Sequence, residues 1–407
     1  MRAGKQQSLF PIILTVFLDL LGLGIVIPIA APLLLSPAEG MLPLHYGLSQ
    51  RSVVLGFLLG SFAIAQFFGA PVLGALADKY GRKKLLLLSI AGTGAGYVLF
   101  AIGIVERDIW LCFFSRILDG FTGGNISIAM SAIADISDEK NRAKNFGLIG
   151  MSFGLGFILG PFLGGKLADP ALLSWFSLAT PYWFTAILSA CNMMVIIFMF
   201  RETLIHPNDD PLRFFTGFKN IRVAFTNKQL RTIFLTAFLI TFGFNFFTQF
   251  FQVFLIHKFN YNPSDIANLF AYIGLWLAFT QGGLMRPLSK KFSPEAIVSW
   301  SALLCALVFP LLLFPSRSWF MYLIVPFISI FNGLNTPNLS AVISLQADAK
   351  EQGSILGIRQ SVQAVAMAIP PILAGFITTI NVSLPIWAAA FCTLMGWLVF
   401  KYSNERR

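Results

Sequence analysis

The sequence predicts an all-α membrane protein, with twelve transmembrane helices in two pseudo-symmetric six-helix bundles and both termini cytoplasmic. Three observations lead there. Only 12% of the 407 residues are charged and 56% are hydrophobic, whereas a soluble globular domain carries about 25% charged residues. Most of the surface therefore does not face water, and the mean hydropathy is +0.75. Apolar runs long enough to cross a bilayer as a helix (~20 residues) recur along the whole chain. They are continuous rather than alternating, which argues against a β-barrel. Finally, two segments 210 residues apart align without a gap.

The spans follow from where charges interrupt the apolar runs. The first six are predicted at 9–35, 51–77, 84–105, 109–134, 143–168 and 175–200. No convincing small-residue cleavage site follows the first run, so it is expected to remain as a helix. The polar stretch 201–228, RETLIHPNDDPLRFFTGFKNIRVAFTNK, then stops the pattern. It divides the chain into a bundle over 1–200, a cytoplasmic linker over 201–228 and a bundle over 229–407. Its 213–225 portion reads either as an amphipathic helix on the membrane surface or as a plain connector. Six further spans are predicted at 230–256, 264–286, 295–315, 318–345, 353–379 and 383–402.

Charge sets the orientation. With a cytoplasmic N-terminus, 22 Lys and Arg fall inside and five outside, while Arg116 and Arg359 lie within spans. This bias places both termini in the cytoplasm. The net charge of +11 is thereby accounted for by cytoplasmic loops, and no nucleic-acid partner is expected. Cys112, Cys191, Cys305 and Cys392 fall inside spans at unrelated spacings and read as free thiols. His45, His206 and His257 are scattered in loops, so neither a metal site nor a cofactor is expected. There is no G-x-x-x-x-G-K-[ST] phosphate loop for direct use of ATP. No enzyme chemistry is visible, and the proton gradient is the expected energy source.

The repeat compares GGNISIAMSAIADISDEKNRAKNFGLIGMSFGLGFILGPFLGG (123–165) with GLNTPNLSAVISLQADAKEQGSILGIRQSVQAVAMAIPPILAG (333–375). It pairs Gly123 with Gly333, Asn125 with Asn335, Asp138 with Asp348, Gly147 with Gly357, Pro161 with Pro371 and Gly165 with Gly375. Two parallel repeats suit a transporter whose halves rock around a site at the midplane.

Between the second and third spans stands GALADKYGRKK (74–84), five charges crowded between uncharged runs. It resembles the loop between helices two and three of the major facilitator superfamily, G-x-L-a-D-r-x-G-r-k. Gly74, Leu76, Asp78, Gly81, Arg82 and Lys83 carry the match. Gly74 reads as a close-packing position, and Gly81 as a turn with positive φ. The resemblance implies a cytoplasmic latch, with Asp78 facing the start of helix eleven near Gly353 and Arg82 paired with Asp135. The repeat copy RPLSKKFS (286–293) has Lys290 and Ser293 in place of Asp78 and Gly81, so the latch is expected on one side only. A positive-inside anchor is the plainer alternative.

In the fifth span, SFGLGFILGPFLGG (152–165) resembles the helix-five signature of drug:proton antiporters, through Gly156, Gly160, Pro161, Gly164 and Gly165. Small residues at this spacing let helices approach closely. LDLLGLGIVIPIAAP (18–32) and RILDGFTGGNISIAMSAIADIS (116–137) resemble the tetracycline-resistance branch of that group. The likeness runs through most of the N-terminal half and weakens in the C-terminal half. It implies proton-driven export of a small organic compound, which the polar and aromatic residues of the spans make an amphipathic one; the short loops and N-terminus point to a bacterial inner membrane.

Ionisable groups inside a span are costly and usually functional. Asp19 and Asp119 each lie about ten residues into a span, near the midplane at 1.5 Å per residue. Carboxyls withdrawn from water can bind and release protons in the physiological range. Asp19 matches an acid of the tetracycline branch. Arg116 sits one turn before Asp119 and, with Gly120, matches the family's helix-four motif, where the arginine is linked to proton transfer. A structural Arg116–Asp119 salt bridge is the alternative. Arg359 reads as snorkelling to the interface or as a gate or anion contact. Gln66, Asn125, Asn245, Gln249, Gln252, Asn332, Asn335, Asn338 and Gln363 are the candidate cavity wall, with Phe247, Phe250 and Phe251 adding an aromatic lining. Partners are then a small-molecule substrate, protons and lipid, and a monomer is the default. Two rival readings remain at this point: a proton symporter importing a nutrient, and a non-transporting receptor or scaffold on the same fold.

Overall fold

The computed structural model describes residues 9–137, 139–204, 216–227, 230–345 and 352–404. Asp138 and Asp348 of the repeat, and Arg213 of the linker, lie outside them. Every predicted span has a helical counterpart. In chain order these are α1 (Leu9–Leu35), α2 (Leu48–Tyr80), α3 (Arg82–Val105), α4 (Ile109–Thr122), α5 (Asn125–Ile136), α6 (Glu139–Leu167) and α7 (Thr180–Met199). They continue as α8 (Thr216–Thr226), α9 (Arg231–Phe259), α10 (Pro263–Phe279), α11 (Met285–Lys291), α12 (Pro294–Val308), α13 (Met321–Leu345), α14 (Gln352–Thr378) and α15 (Leu384–Asn404). Among the described residues nine helical segments are long and apolar enough to cross a membrane.

The departures have local causes. The fourth span is not one helix. α4 stops at Gly123, α5 starts after Gly124, and Gln66 Nε2 donates to the Gly123 carbonyl that the break releases, at 3.0 Å. The eighth span is interrupted by a wide turn over Thr280–Leu284, TQGGL, before α11; paired glycines lower the cost of leaving the α-helical ladder. The ninth tightens into a 3-10 turn at Phe309–Leu313, where Pro310 supplies no N–H.

The chain forms two compact units. One comprises Met1–Leu44, Ser61–Phe215 and Pro263–Asn268; the other comprises His45–Gly60, Thr216–Asn262 and Leu269–Arg407. In the first, Ile12, Val16 and Leu20 of α1 pack with Leu86, Ile90, Ile128, Ala132 and Phe200. In the second, Phe234, Val298, Val342, Ile358, Val362 and Phe400 form the core. The linker helix α8 joins it: Ala224 is buried there, and Asn220 Nδ2 donates to Ser361 Oγ at 3.1 Å.

The helix-five glycines form a seam with α1. A Cβ on Gly160 would come within 2.6 Å of the Leu21 carbonyl and 2.8 Å of Gly24 Cα. Gly156 and Gly164 meet Leu20 and Ile25 in the same way, and the Pro161 ring lies against Gly24. The repeat-related glycines also do similar work. Gly165 lies against Pro263 and Ala267 in the first unit, and Gly375 against Ser52, Val53 and Gly56 in the second.

Candidate functional site

The first unit buries a charged pair. Arg116 and Asp119 are 4% exposed each, and Arg116 Nη1 donates to Asp119 Oδ2 at 2.9 Å. Helical spacing of three residues puts them on one face. The guanidinium also sits 4.4 Å over the Phe62 ring, which holds a cation without a second acid. Gly96 lets α3 approach: a Cβ there would be 3.0 Å from Asp119 Cβ.

Asp19, on α1, is separate from that pair. Asn125 Nδ2 donates to its Oδ1 at 2.9 Å. The break at Gly123–Gly124 makes this contact available, because Asn125 opens a new helix. A small cavity inside the unit is lined by Asp19, Thr93, Tyr97, Thr185, Ser189 and Asn192, closed by apolar side chains. It has room for about one water molecule. Thr15 Oγ1 donates to Asn192 Oδ1 at 3.2 Å, and Ser189 Oγ to the Ile90 carbonyl at 3.0 Å. Ser89 Oγ, Arg116 Nε, Asn125 Oδ1 and the Tyr182 hydroxyl are buried with no partner among the described residues. Thr93 Oγ1, which lines the cavity, is likewise buried without a partner, whereas buried polar atoms are normally satisfied.

At the cytoplasmic end, Asp78 pairs with Arg82, whose Nε is 3.2 Å from Asp135 Oδ2. Gly81 has φ +107°, a conformation L side chains rarely adopt. Sequence reasoning missed Glu202. Its carboxylate accepts the backbone N–H groups of Arg82 (2.8 Å) and Lys83 (3.1 Å), capping α3, and those of Thr203 and Leu204. Burial pushes its pKa up, but these four N–H donors outweigh burial and hold it below the ordinary glutamate value. Thr203 Oγ1 donates to Asp135, and Lys83 Nζ to the Ile197 carbonyl. Gly74 needs no special explanation, since a Cβ there would make ordinary contact with Ser127, at 3.9 Å.

The candidate cavity amides divide. Asn335 Nδ2 donates to the Val298 carbonyl and to Ser301, and Asn338 to the Leu334 carbonyl. Asn245 donates to the Thr241 carbonyl and Gln252 to that of Gln249. These four are buried. Gln249 and Asn332 are half-buried and Gln363 is exposed, as is Gln360 beside the half-buried Arg359. The expected aromatic lining is corrected outright: Phe247, Phe250 and Phe251 are at most 2% exposed. Phe247 packs at 4.6 Å from Phe251 and 5.3 Å from Phe309 between ring centroids, so these rings are core.

The model of the Major Facilitator Superfamily matches residues 12–286 and 282–407. The chain belongs to that superfamily. Tetracycline resistance protein class H of Pasteurella multocida is 28% identical over 413 residues, covering 99% of this chain and 97% of that one. Tetracycline resistance protein class C of Escherichia coli is 29% identical, covering 97% and 94%. The quinolone resistance protein NorA of Staphylococcus aureus is 27% identical, covering 99% and 98%. Among solved structures, the human organic anion transporter MFSD10 aligns with TM-score 0.74 at 23% identity, covering 97% and 99%. A D-xylose-proton symporter aligns with TM-score 0.77 at 14% identity, covering 96% of each chain; at these identities the likeness shows the fold. This major facilitator is an integral, multi-pass membrane transporter.

Proposed function

We propose that this major facilitator is a proton-coupled antiporter. It exports a small amphipathic organic compound across a bacterial inner membrane by alternating access. The observation that carries the reading is the interior of the first unit. Asp119, buried near the end of α4, is held by Arg116, and the half-buried Asp19 on α1 is held by Asn125. Ionisable groups placed within an apolar span are costly and usually carry function. The helix-five seam and the tetracycline and quinolone resistance relatives support efflux over import. In this reading Asp19, Asp119 and Arg116 couple protons, and Asp78, Arg82 and Asp135 form the cytoplasmic latch with Gly81, Lys83 and Glu202. Gln66, Gln249, Asn332, Gln363 and Arg359 are the candidate substrate contacts that are not fully buried.

Inverted membrane vesicles carrying the protein test it. Energised vesicles should accumulate tetracycline or norfloxacin, and a protonophore should release the accumulated compound. Loss of compound from preloaded vesicles on energisation would instead indicate symport and overturn the direction.

A further inference from the structure

Asp19 and Asp119 have different partners, yet one side chain stands near both. Tyr97 on α3 is buried, and it lines the small cavity together with Asp19 and Thr93. Its hydroxyl lies against Gly22, one turn beyond Asp19 on α1, where any Cβ would overlap it. Thr93, one turn earlier on α3, lines the same cavity, and its buried hydroxyl has no hydrogen-bond partner among the described residues. Gly22 thus lets the phenol sit against α1 beside Asp19, and Gly96, the residue before Tyr97, lets Asp119 of α4 pack against α3. The charged and titratable groups whose fields reach Tyr97 are Asp119, Asp19, Arg116 and Tyr182, of which Asp19 shares the cavity with it. Tyr182 itself stacks on Phe100 at 4.3 Å, and Cys112 stands beside it on α4.

We propose that the Tyr97 hydroxyl, with a water in the cavity beside Asp19 and Thr93, relays a proton between Asp19 and Asp119. The inference rests on the proton-coupled reading above and adds the path. The Asp19 carboxyl gives its proton to the water, the water gives one to the Tyr97 oxygen, and the hydroxyl gives its own to the Asp119 carboxylate. Only O–H bonds are made and broken. One proton has moved, the water and Tyr97 end neutral, and the phenol has turned. Protonation of Asp119 frees Arg116, whose charge stays over the Phe62 ring. A phenol suits this role because it both donates and accepts, and because it is neutral in a space too dry for a third charge.

The test is time-resolved infrared spectroscopy of the reconstituted protein after a pH jump, following the carboxyl C=O bands. Asp19→Asn and Asp119→Asn assign one band each. Tyr97→Phe keeps the ring and removes one oxygen; Gly22→Ala keeps the hydroxyl but displaces it. Both variants should reach the wild-type final protonation while the second carboxyl band rises about 100-fold more slowly. Wild-type rates in both variants would overturn the relay, as would a changed final protonation with unchanged rates, which marks a structural role. The readout needs no substrate. The relay can therefore fail while vesicle transport succeeds, and failed transport leaves the infrared result standing on its own.

Discussion

Removing Arg116 should cost more than removing Arg116 and Asp119 together. The two charges are 2.9 Å apart and 4% exposed. At an effective dielectric of about 20 their attraction is about 6 kcal/mol. Desolvation consumes much of that, but it is recovered only when both charges go. Arg116→Met alone leaves a buried carboxylate unpaired, and Asp119→Leu alone leaves a buried guanidinium held only by Phe62. Each single change should destabilise by about 3–5 kcal/mol. For a chain of 407 residues that lowers Tm by roughly 5 °C. Arg116→Met with Asp119→Leu puts two apolar side chains where the pair stood and should recover most of the loss. Thermal unfolding of the four purified proteins in one detergent completes the double-mutant cycle. Additive losses would refute the reasoning, because the two groups would then not be each other's partner.

Other expectations follow from the same contacts. Gly160→Val should destabilise by about 1–3 kcal/mol, because its side chain meets the Leu21 carbonyl and Gly24, whereas Gly74→Ala should stay within about 0.5 kcal/mol of wild type; thermal unfolding separates them. Glu202→Gln weakens the α3 cap. Since the folded Glu202 pKa is lowered, its contribution is present at neutral pH and is lost as pH falls through that lowered value. The gap in stability between wild type and Glu202→Gln should therefore close under acid, as read by unfolding across a pH series. Asn335→Ala should lower Tm and leave the KM for the compound unchanged, since its amide is spent on Val298 and Ser301.

Much of this was legible in the residues. Continuous apolar runs set the helices, and the glycine register at 156, 160 and 164 marked a close seam, although the sequence could not say that α1 was its partner. Gly81 and Arg82 were readable because a turn and a buried guanidinium each restrict residue type. Asn125, Asn335 and Phe247 were not. An amide or an aromatic in a span looks the same whether it faces a cavity or a neighbouring helix, and only packing decides. Tyr97 and Glu202 left no signal. Tyr97 becomes notable because Gly22 opposes it, and Glu202 because the chain returns, 120 residues on, to the start of α3. Both depend on long-range packing that no local pattern encodes.

Substrate-triggered proton movement tests the central claim most directly. Purified protein in liposomes with an acidic lumen and a trapped pH dye would be challenged with tetracycline, norfloxacin and a panel of amphipathic cations, zwitterions and anions. The account predicts that at least one compound releases lumenal protons, and that Asp19→Asn and Asp119→Asn each abolish the release while the proteins stay folded. Equal proton release from both variants and the wild type would contradict it.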